Sequence, residues 1–230
     1  MLKVDLTVAV IVPLFNEYRI LPQMIKQLQQ LGADELIVVD GGSDDGTLEL
    51  LQQSGLRWIS SEAGRARQMN AGAEQCESDI LFFMHADTII SSTHVLAVKE
   101  VMVSPEYVGG RFDVRLSGTH PAFALIGWMI NLRSRLSRIS TGDQCQFVRR
   151  KSFEKIGGFA DLPLMEDVAL SRVLKREGKI ACLRQKVITS SRRWERSGIL
   201  RTVLLMWKLR LLFWLGWPAD QLALIYRQAR

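Results

Sequence analysis

Short apolar runs alternate with helical patterns through the first 84 residues, and that alternation constrains the fold more than any other feature. TVAVIVP (7–13), ELIVVD (35–40), LRWIS (56–60) and DILFFM (79–84) read as strands. Runs such as IVVD leave no polar face. A strand of that kind needs cover on both sides, which a parallel sheet flanked by helices provides. The segments between them supply helices. EYRILPQMIKQLQQLG (17–32) sets Leu21, Met24, Ile25 and Leu28 on one face, and TLELLQQSG (47–55) and ARQMNAGAEQC (66–76) follow. The expected class is α/β, a mostly parallel Rossmann-like sheet flanked by helices. Ligands of such sheets bind at the carboxyl ends of the strands. Pro13, Asp40 and Asp87 fall there, beside the Gly-rich acidic turn GGSDDG (41–46).

The pattern changes after residue 105. YVGGRFDVRLS (107–117) and QCQFVRR (144–150) read as strands, HPAFALIGWMINLRSRLSRI (120–139) as an amphipathic basic helix, and KSFEKIGGF (151–159) as a short helix closed by glycines. ALSRVLKREG (169–178) looks helical, and a last helix runs through 199–213. There is no internal repeat, low-complexity tract or polar linker. At 230 residues the chain is long enough for one well-cored domain, so a single unit over 1–230 with a helix-rich C-terminal region is expected.

Charge divides the chain. Residues 1–118 carry 9 Lys+Arg against 16 Asp+Glu, net −7, whereas residues 119–230 carry 21 against 8, net +13. The basic half suits phosphates, nucleic acid or an anionic membrane surface, or is simply a solvated face. Cys76, Cys145 and Cys182 show no paired spacing, which fits a reducing compartment and no disulfide framework. His85, His94 and His120 lack the spacing of a histidine zinc site. LTVAVIVPLF has no basic cluster before it and is interrupted by Asn16-Glu17, so it reads as a buried first strand rather than a leader. The most apolar long stretch, 199–217, is broken by Arg201, Lys208 and Arg210 and is not a span.

Two acidic segments carry the chemistry. MHADT (84–88) ends a strand, and LMEDV (164–168) precedes a helix. Carboxylates at such ends can grip a hard metal ion or accept a proton.

VIVPLFNE, VVDGGSDDGT, GRARQMNAG, FFMHADT, GDQCQFVRR, IGGF, LPLMEDVALSRVL and SRRWERSG follow one another in an order that resembles the inverting family-2 glycosyltransferases of GT-A fold. HADT between GRARQMNAG and LPLMEDV further resembles a bacterial subgroup labelled arsenosugar-biosynthesis glycosyltransferases. The resemblance implies a hexosyltransferase-type enzyme that moves a sugar from a nucleotide-diphosphate donor, a UDP-sugar first, to an acceptor hydroxyl. It implies a nucleotide-sugar-binding half over 1–118 and an acceptor and catalytic-base half over 119–230. Nucleotide-sugar contacts fall to Pro13, Asn16, Glu17, Asp40, Ser43, Arg65, Arg67, Ala86 and Arg193. For Glu17 and Ser43, helix start and turn capping are alternatives, and for Arg65 and Arg67, surface ion pairing.

In the family's DxD element the first carboxylate is His85 here and the last is Asp87. Asp87, with His85 as a second candidate, is the implied ligand of Mg or Mn. A hydrogen-bonded buried histidine is the alternative for His85. Asp167 of the Glu166-Asp167 pair is the implied general base, with helix capping as the alternative. Glu166 raises the pKa of Asp167 or caps the helix. Asp143, the second candidate base, and Gln144 line the acceptor side. Trp194 stacks on the acceptor or fills core. Ser190 stands where processive members carry Gln, so polymer synthesis is not implied.

A nucleotidyltransferase of similar fold is the alternative enzyme, but PLFNE is not its Gly-rich loop. A non-catalytic membrane-surface module is the other. Trp207, Trp214 and Trp217 with Arg201, Lys208 and Arg210 suit the headgroup region, and 120–139 offers a second such face. A peripheral membrane contact, a lipid-linked acceptor and a cytoplasmic location at the inner face of the cell membrane follow. Packing on the sheet, or a homodimer interface, is the competing use of these helices. No nucleic acid partner is expected.

Overall fold

The computed structural model describes residues 5–229. The elements are β1 (Val8–Leu14), α1 (Leu21–Leu28), β2 (Glu35–Asp40), α2 (Thr47–Gln53), β3 (Trp58–Ser60), α3 (Arg65–Glu74), β4 (Ile80–Phe83), α4 (Ser92–Met102), β5 (Tyr107–Leu116), α5 (Pro121–Ser137), a 3-10 turn (Gly142–Gln144), β6 (Gln146–Arg149), α6 (Arg150–Lys155), α7 (Glu166–Glu177), β7 (Lys179–Thr189), α8 (Arg192–Ser197), α9 (Ile199–Trp214) and α10 (Ala219–Gln228). The sheet order is β3-β2-β1-β4-β6-β5-β7. Only β6 runs against its neighbours; the other pairings are parallel.

Every residue of β1 is buried, and its side chains alternate between two cores. Val8, Val10, Val12 and Leu14 join Leu21, Met24 and Leu28 of α1 and Val95, Val98 and Met102 of α4 on one face. Ala9 and Ile11 join Ala66, Met69 and Ala73 of α3, with Leu170 and Leu174 of α7, on the other. Each of the Val, Leu, Ile and Met side chains contributes about 1.5–3 kcal/mol when fully buried, which is why a strand with no polar position takes the centre of the sheet. α3 lies unusually close to it. A Cβ on Gly72 would come within 2.6 Å of Ile11 Cγ2 and 2.9 Å of Val39 Cγ2. That approach fixes the start of α3 over the strand ends.

Three differences from the sequence expectation have local causes. The first helix spans 21–28, not 17–32. Pro22 suits its first turn, and the preceding backbone is held by the acidic turn instead. Asn16 N–H donates to Ser43 Oγ at 2.9 Å, Glu17 N–H to Thr47 Oγ1 at 3.0 Å and Tyr18 N–H to Asp45 Oδ2 at 3.2 Å. The acidic pair lies inside the first turn of α7 rather than before it. β7, α4 and α10 were not expected at all. β7 is an edge strand, and Lys179, Arg184, Gln185 and Lys186 hide its period.

α5 is inverted in its polarity. It is fixed to β5 through polar groups: Asn131 exchanges two bonds with the Val114 backbone at 2.8 and 3.0 Å, and Arg135 forks onto Asp113 at 2.9 Å. Phe123 and Ile126 pack with Leu116, beside Ile199 and Val203 of α9. Leu125, Trp128, Met129, Leu132 and Leu136 are left facing solvent. α9 likewise buries Leu209 against α7 and α10 but exposes Leu200, Leu204, Trp207, Leu211 and Trp214, the last at 71%. No helix among the described residues is long and apolar enough to cross a membrane.

Candidate active site

The carboxyl ends of β1, β2 and β4 form one rim. At its first corner, Asp40 is 1% exposed and accepts from Gly42 N–H at 2.9 Å, Ser43 N–H at 3.0 Å and Ser43 Oγ at 2.5 Å. Three of its roughly four acceptor positions are thus taken by its own turn. Ser43 passes the order on to Asn16, whose φ of 53° is uncommon outside glycine. Asn16 and Asp44 exchange two further bonds at 2.8 and 2.9 Å. Buried Gln68 donates to Leu14 O at 2.7 Å and Val39 O at 2.8 Å, tying the ends of β1 and β2 together beside buried Pro13.

At the second corner, the HADT loop leaves β4. It is anchored downstream by Ile89 N–H to Ile188 O at 2.7 Å. Asp87 is partly exposed, and Arg192 Nη2 stands 3.8 Å from its Oδ2 and 3.9 Å from Glu17 Oε2. Ala86 packs down on the core. His85 turns its Nε2 edge onto Gly142, where an added Cβ would collide with the ring unless the ring or the turn moved. Burial, helped by the Arg65 charge, pushes the His85 imidazole down to about 3, leaving it neutral.

The third corner is the start of α7. Asp167 Oδ2 accepts from Gly142 N–H at 2.7 Å and Oδ1 from Val168 N–H at 2.6 Å. Gln146 holds the same turn by donating to Asp167 O at 3.1 Å. Burial, then the neighbouring Glu166 charge, pushes the Asp167 carboxyl up to about 7 against those two N–H groups. His85, Gly142, Gln146, Glu166 and Asp167 enclose a cavity of about 10 Å³, near the room one water needs.

Arg65 joins the corners. Burial works against its charge, but Glu166, Tyr226, Asp167 and Asp87 outweigh that and raise its pKa. It is exposed to solvent at the first position of α3. Arg67 lies apart, forked onto Asp161 at 2.9 and 3.0 Å and paired with Glu62. Arg193 stacks on Tyr226, 4.1 Å from the ring centroid, and donates to its hydroxyl. Trp194 packs against Leu116, Phe123 and Ile126. Gln144 is fully buried, its amide directed to Phe112 O and Thr141 N–H at 3.4 Å. Asp143 keeps one enclosed oxygen, Oδ1, without a partner, and burial raises its pKa.

The family model for glycosyl transferase family 2 matches residues 9–157, which include the first two corners and the 3-10 turn. The chain belongs to glycosyl transferase family 2. It is 32% identical over 117 residues to a 4,4'-diaponeurosporenoate glycosyltransferase of Staphylococcus haemolyticus, covering 45% of this chain and 30% of that protein. It is 29% identical over 93 residues to an undecaprenyl-phosphate 4-deoxy-4-formamido-L-arabinose transferase of Pseudomonas savastanoi pv. phaseolicola, covering 35% and 28%. The matches thus span about a third of the length of those relatives. Among solved structures, a mannosyltransferase of Pyrobaculum calidifontis in complex with GDP-Man and Mn2+ superposes with TM-score 0.64 at 18% identity, covering 86% of this chain and 62% of that one. Glucosyl-3-phosphoglycerate synthase of Mycobacterium tuberculosis superposes with TM-score 0.61 at 22% identity, covering 80% and 71%. These likenesses establish the α/β fold with its helical C-terminus.

Two arginines at the site escaped the sequence reading. Arg192 stands beside Arg193 in an RR pair that a motif cannot resolve. Arg133 lies on α5, whose polarity is the reverse of an ordinary surface helix.

Among the described residues, no three His, Cys, Asp or Glu side chains gather as a metal cage. Asp87 at the rim still suits a hard cation that completes its shell with ligand phosphates and water. His85, neutral but turned onto Gly142, is the lesser donor.

Proposed function

We propose that the chain is an inverting glycosyltransferase that moves a sugar, hexosyl in type, from a nucleotide-diphosphate donor to an acceptor hydroxyl. The observation that carries this is Gly142, which meets His85 of the HADT loop and gives its N–H to Asp167, with Arg65 close enough for its charge to act on Asp87 and on the Glu166-Asp167 pair alike. A metal-type carboxylate and a base-type carboxylate therefore share one cleft. The donor lies over the 1–118 half, with its nucleoside along the β1 and β2 ends near Asn16, Glu17 and the Asp40–Ser43 turn, and its diphosphate near Asp87. Arg192 and Arg65 offset diphosphate charge there. A magnesium or manganese ion held by Asp87 would stabilise the leaving diphosphate.

The 119–230 half supplies the base. Asp167 accepts the proton of the acceptor hydroxyl as its oxygen attacks the anomeric carbon, and the bond to the diphosphate oxygen breaks on the opposite face. Gly142 N–H and Val168 N–H hold both Asp167 oxygens, so the carboxylate meets the acceptor in one orientation. Burial and Glu166 make it a stronger base than an ordinary aspartate.

The HADT form supports the arsenosugar-type subgroup. A UDP-sugar is the first donor to try. The outward apolar faces of α5 and α9, with Trp128, Trp207 and Trp214 beside exposed Arg201 and Lys208, support peripheral contact with an anionic membrane and a lipid-linked acceptor at its cytoplasmic side. Donor hydrolysis and transfer measured across UDP-, GDP- and dTDP-sugars, with manganese or with EDTA, test the reading. Manganese-stimulated consumption of one class supports it; no consumption and no nucleotide binding by folded protein overturns it.

A further inference from the structure

We propose that Arg133 is the acceptor's anchor, and that the acceptor carries a phosphate or carboxylate group. This rests on the glycosyltransferase reading and names the substrate class of its second half.

Arg133 stands on α5, partly buried. Its charge acts on Asp143 and Asp167, the two carboxylates of the acceptor side. Its Nε and Nη2 are both enclosed and donate to nothing. Those two nitrogens form one edge of the guanidinium, with their N–H bonds side by side. That edge matches a pair of oxygens on a single carboxylate or phosphate. The same molecule supplies the reference: Arg67 uses its Nε and Nη2 on the two oxygens of Asp161, at 2.9 and 3.0 Å. Arg135, two residues along α5 from Arg133, spends its guanidinium on Asp113 and Cys182 O. Arg133 alone of the three presents an unspent edge, and it does so beside the base.

A lone hydroxyl would satisfy one N–H of that edge and strand the other. A two-oxygen anion satisfies both. Asp143 Oδ1, also enclosed and without a partner, asks for the opposite chemistry, a donor. The pair therefore fits a ligand with an anionic group and a hydroxyl close together.

The test is equilibrium binding at saturating nucleotide and manganese, so that the donor's own arginines are occupied. Two probes are titrated: inorganic phosphate and a short isoprenyl monophosphate in detergent. Wild type, Arg133→Gln and Arg133→Lys are compared, with melting curves to establish folding and nucleotide affinity measured for each. Both replacements are expected to weaken phosphate binding, Gln by on the order of tenfold or more and Lys measurably, since Lys keeps the charge and loses the fork. Equal dependence on Arg133 for both probes assigns a soluble phosphate-bearing acceptor. A tighter isoprenyl phosphate, still dependent on Arg133, assigns a lipid one. Phosphate binding that persists undiminished in folded Arg133→Gln overturns the proposal. Failure of wild type to bind nucleotide overturns the glycosyltransferase reading instead.

Discussion

The two halves of the cleft are built on opposite terms. Where the donor rim is built from the β1 and β2 ends, the polar groups of the acidic turn are already bonded within the protein, while Thr88 Oγ1 at the HADT corner is buried without a partner. Asp40 serves its own turn, Ser43 and Thr47 hold the Asn16–Glu17 backbone, and Gln68 joins two strand ends. At the acceptor side, Asp143 Oδ1 and the Arg133 edge are unmatched, and the helices behind them turn apolar faces outward. A satisfied rim is rigid before any ligand arrives, which lowers the ordering cost of binding. An unsatisfied one waits for its ligand to complete it. On the proposed reading, the first arrangement suits a nucleotide and the second an acceptor that brings its own charge.

The largest expected effect removes the base. Asp167→Asn should lower transfer by on the order of a hundredfold or more while leaving nucleotide affinity near wild type. Titration of nucleotide alongside single-turnover transfer checks both. Normal transfer by this variant together with a dead Asp143→Asn would move the role to Asp143.

Gly142→Ala asks whether the acceptor half depends on the fit between His85 and the 3-10 turn. The added Cβ collides with the His85 ring, so that ring or the turn carrying the N–H that orients Asp167 must shift. A loss of roughly tenfold to a hundredfold in kcat is expected, with donor KM changed much less. An equal rise in donor KM would show that the two halves are not separable.

Asp87→Asn tests the other half. Nucleotide-sugar affinity should fall by about tenfold, and stimulation by manganese should vanish, because the carboxylate proposed to hold the ion is gone. Undiminished manganese-dependent turnover removes Asp87 from that role. The smallest effect concerns the outward faces. Flotation with anionic vesicles at low salt should carry a fraction of the protein up, less at high salt, and Trp207→Glu with Trp214→Glu should reduce that fraction several-fold. Folded protein that stays wholly in the soluble fraction, or that dimerises through these residues instead, excludes the membrane contact.

The same contrast explains what could be read in advance. β1, β2 and β4 announce themselves because a central parallel strand has no polar position, and the turn after β2 because its glycines and acids sit at fixed offsets. The acidic pair of α7 was legible as a motif. Its setting was not: the Gly142 N–H that holds Asp167 comes from 25 residues away in the chain. Arg133 was invisible for a related reason. On α5 the polar contacts of Asn131 and Arg135 to β5 stand beside the apolar ones of Phe123 and Ile126, while Leu125, Trp128, Met129, Leu132 and Leu136 face outward, so periodicity alone does not pick the buried face. Arg192 and Arg193 are neighbours in a short helix, and only the third dimension sends one to Asp87 and the other to Tyr226.

The central claim is that Asp167 is a base whose strength comes from its burial beside Glu166. The direct test is the pH dependence of single-turnover transfer at saturating donor and metal. A base works only when ionised, so the rate should climb with pH through the Asp167 pKa and level off above it. The expected climb is centred near the raised value of about 7, not in the ordinary carboxylate range near 3.8. It should move downward in Glu166→Gln, where the neighbouring charge is gone. A rate that is already level from about pH 5 upward in the wild-type protein would contradict the claim.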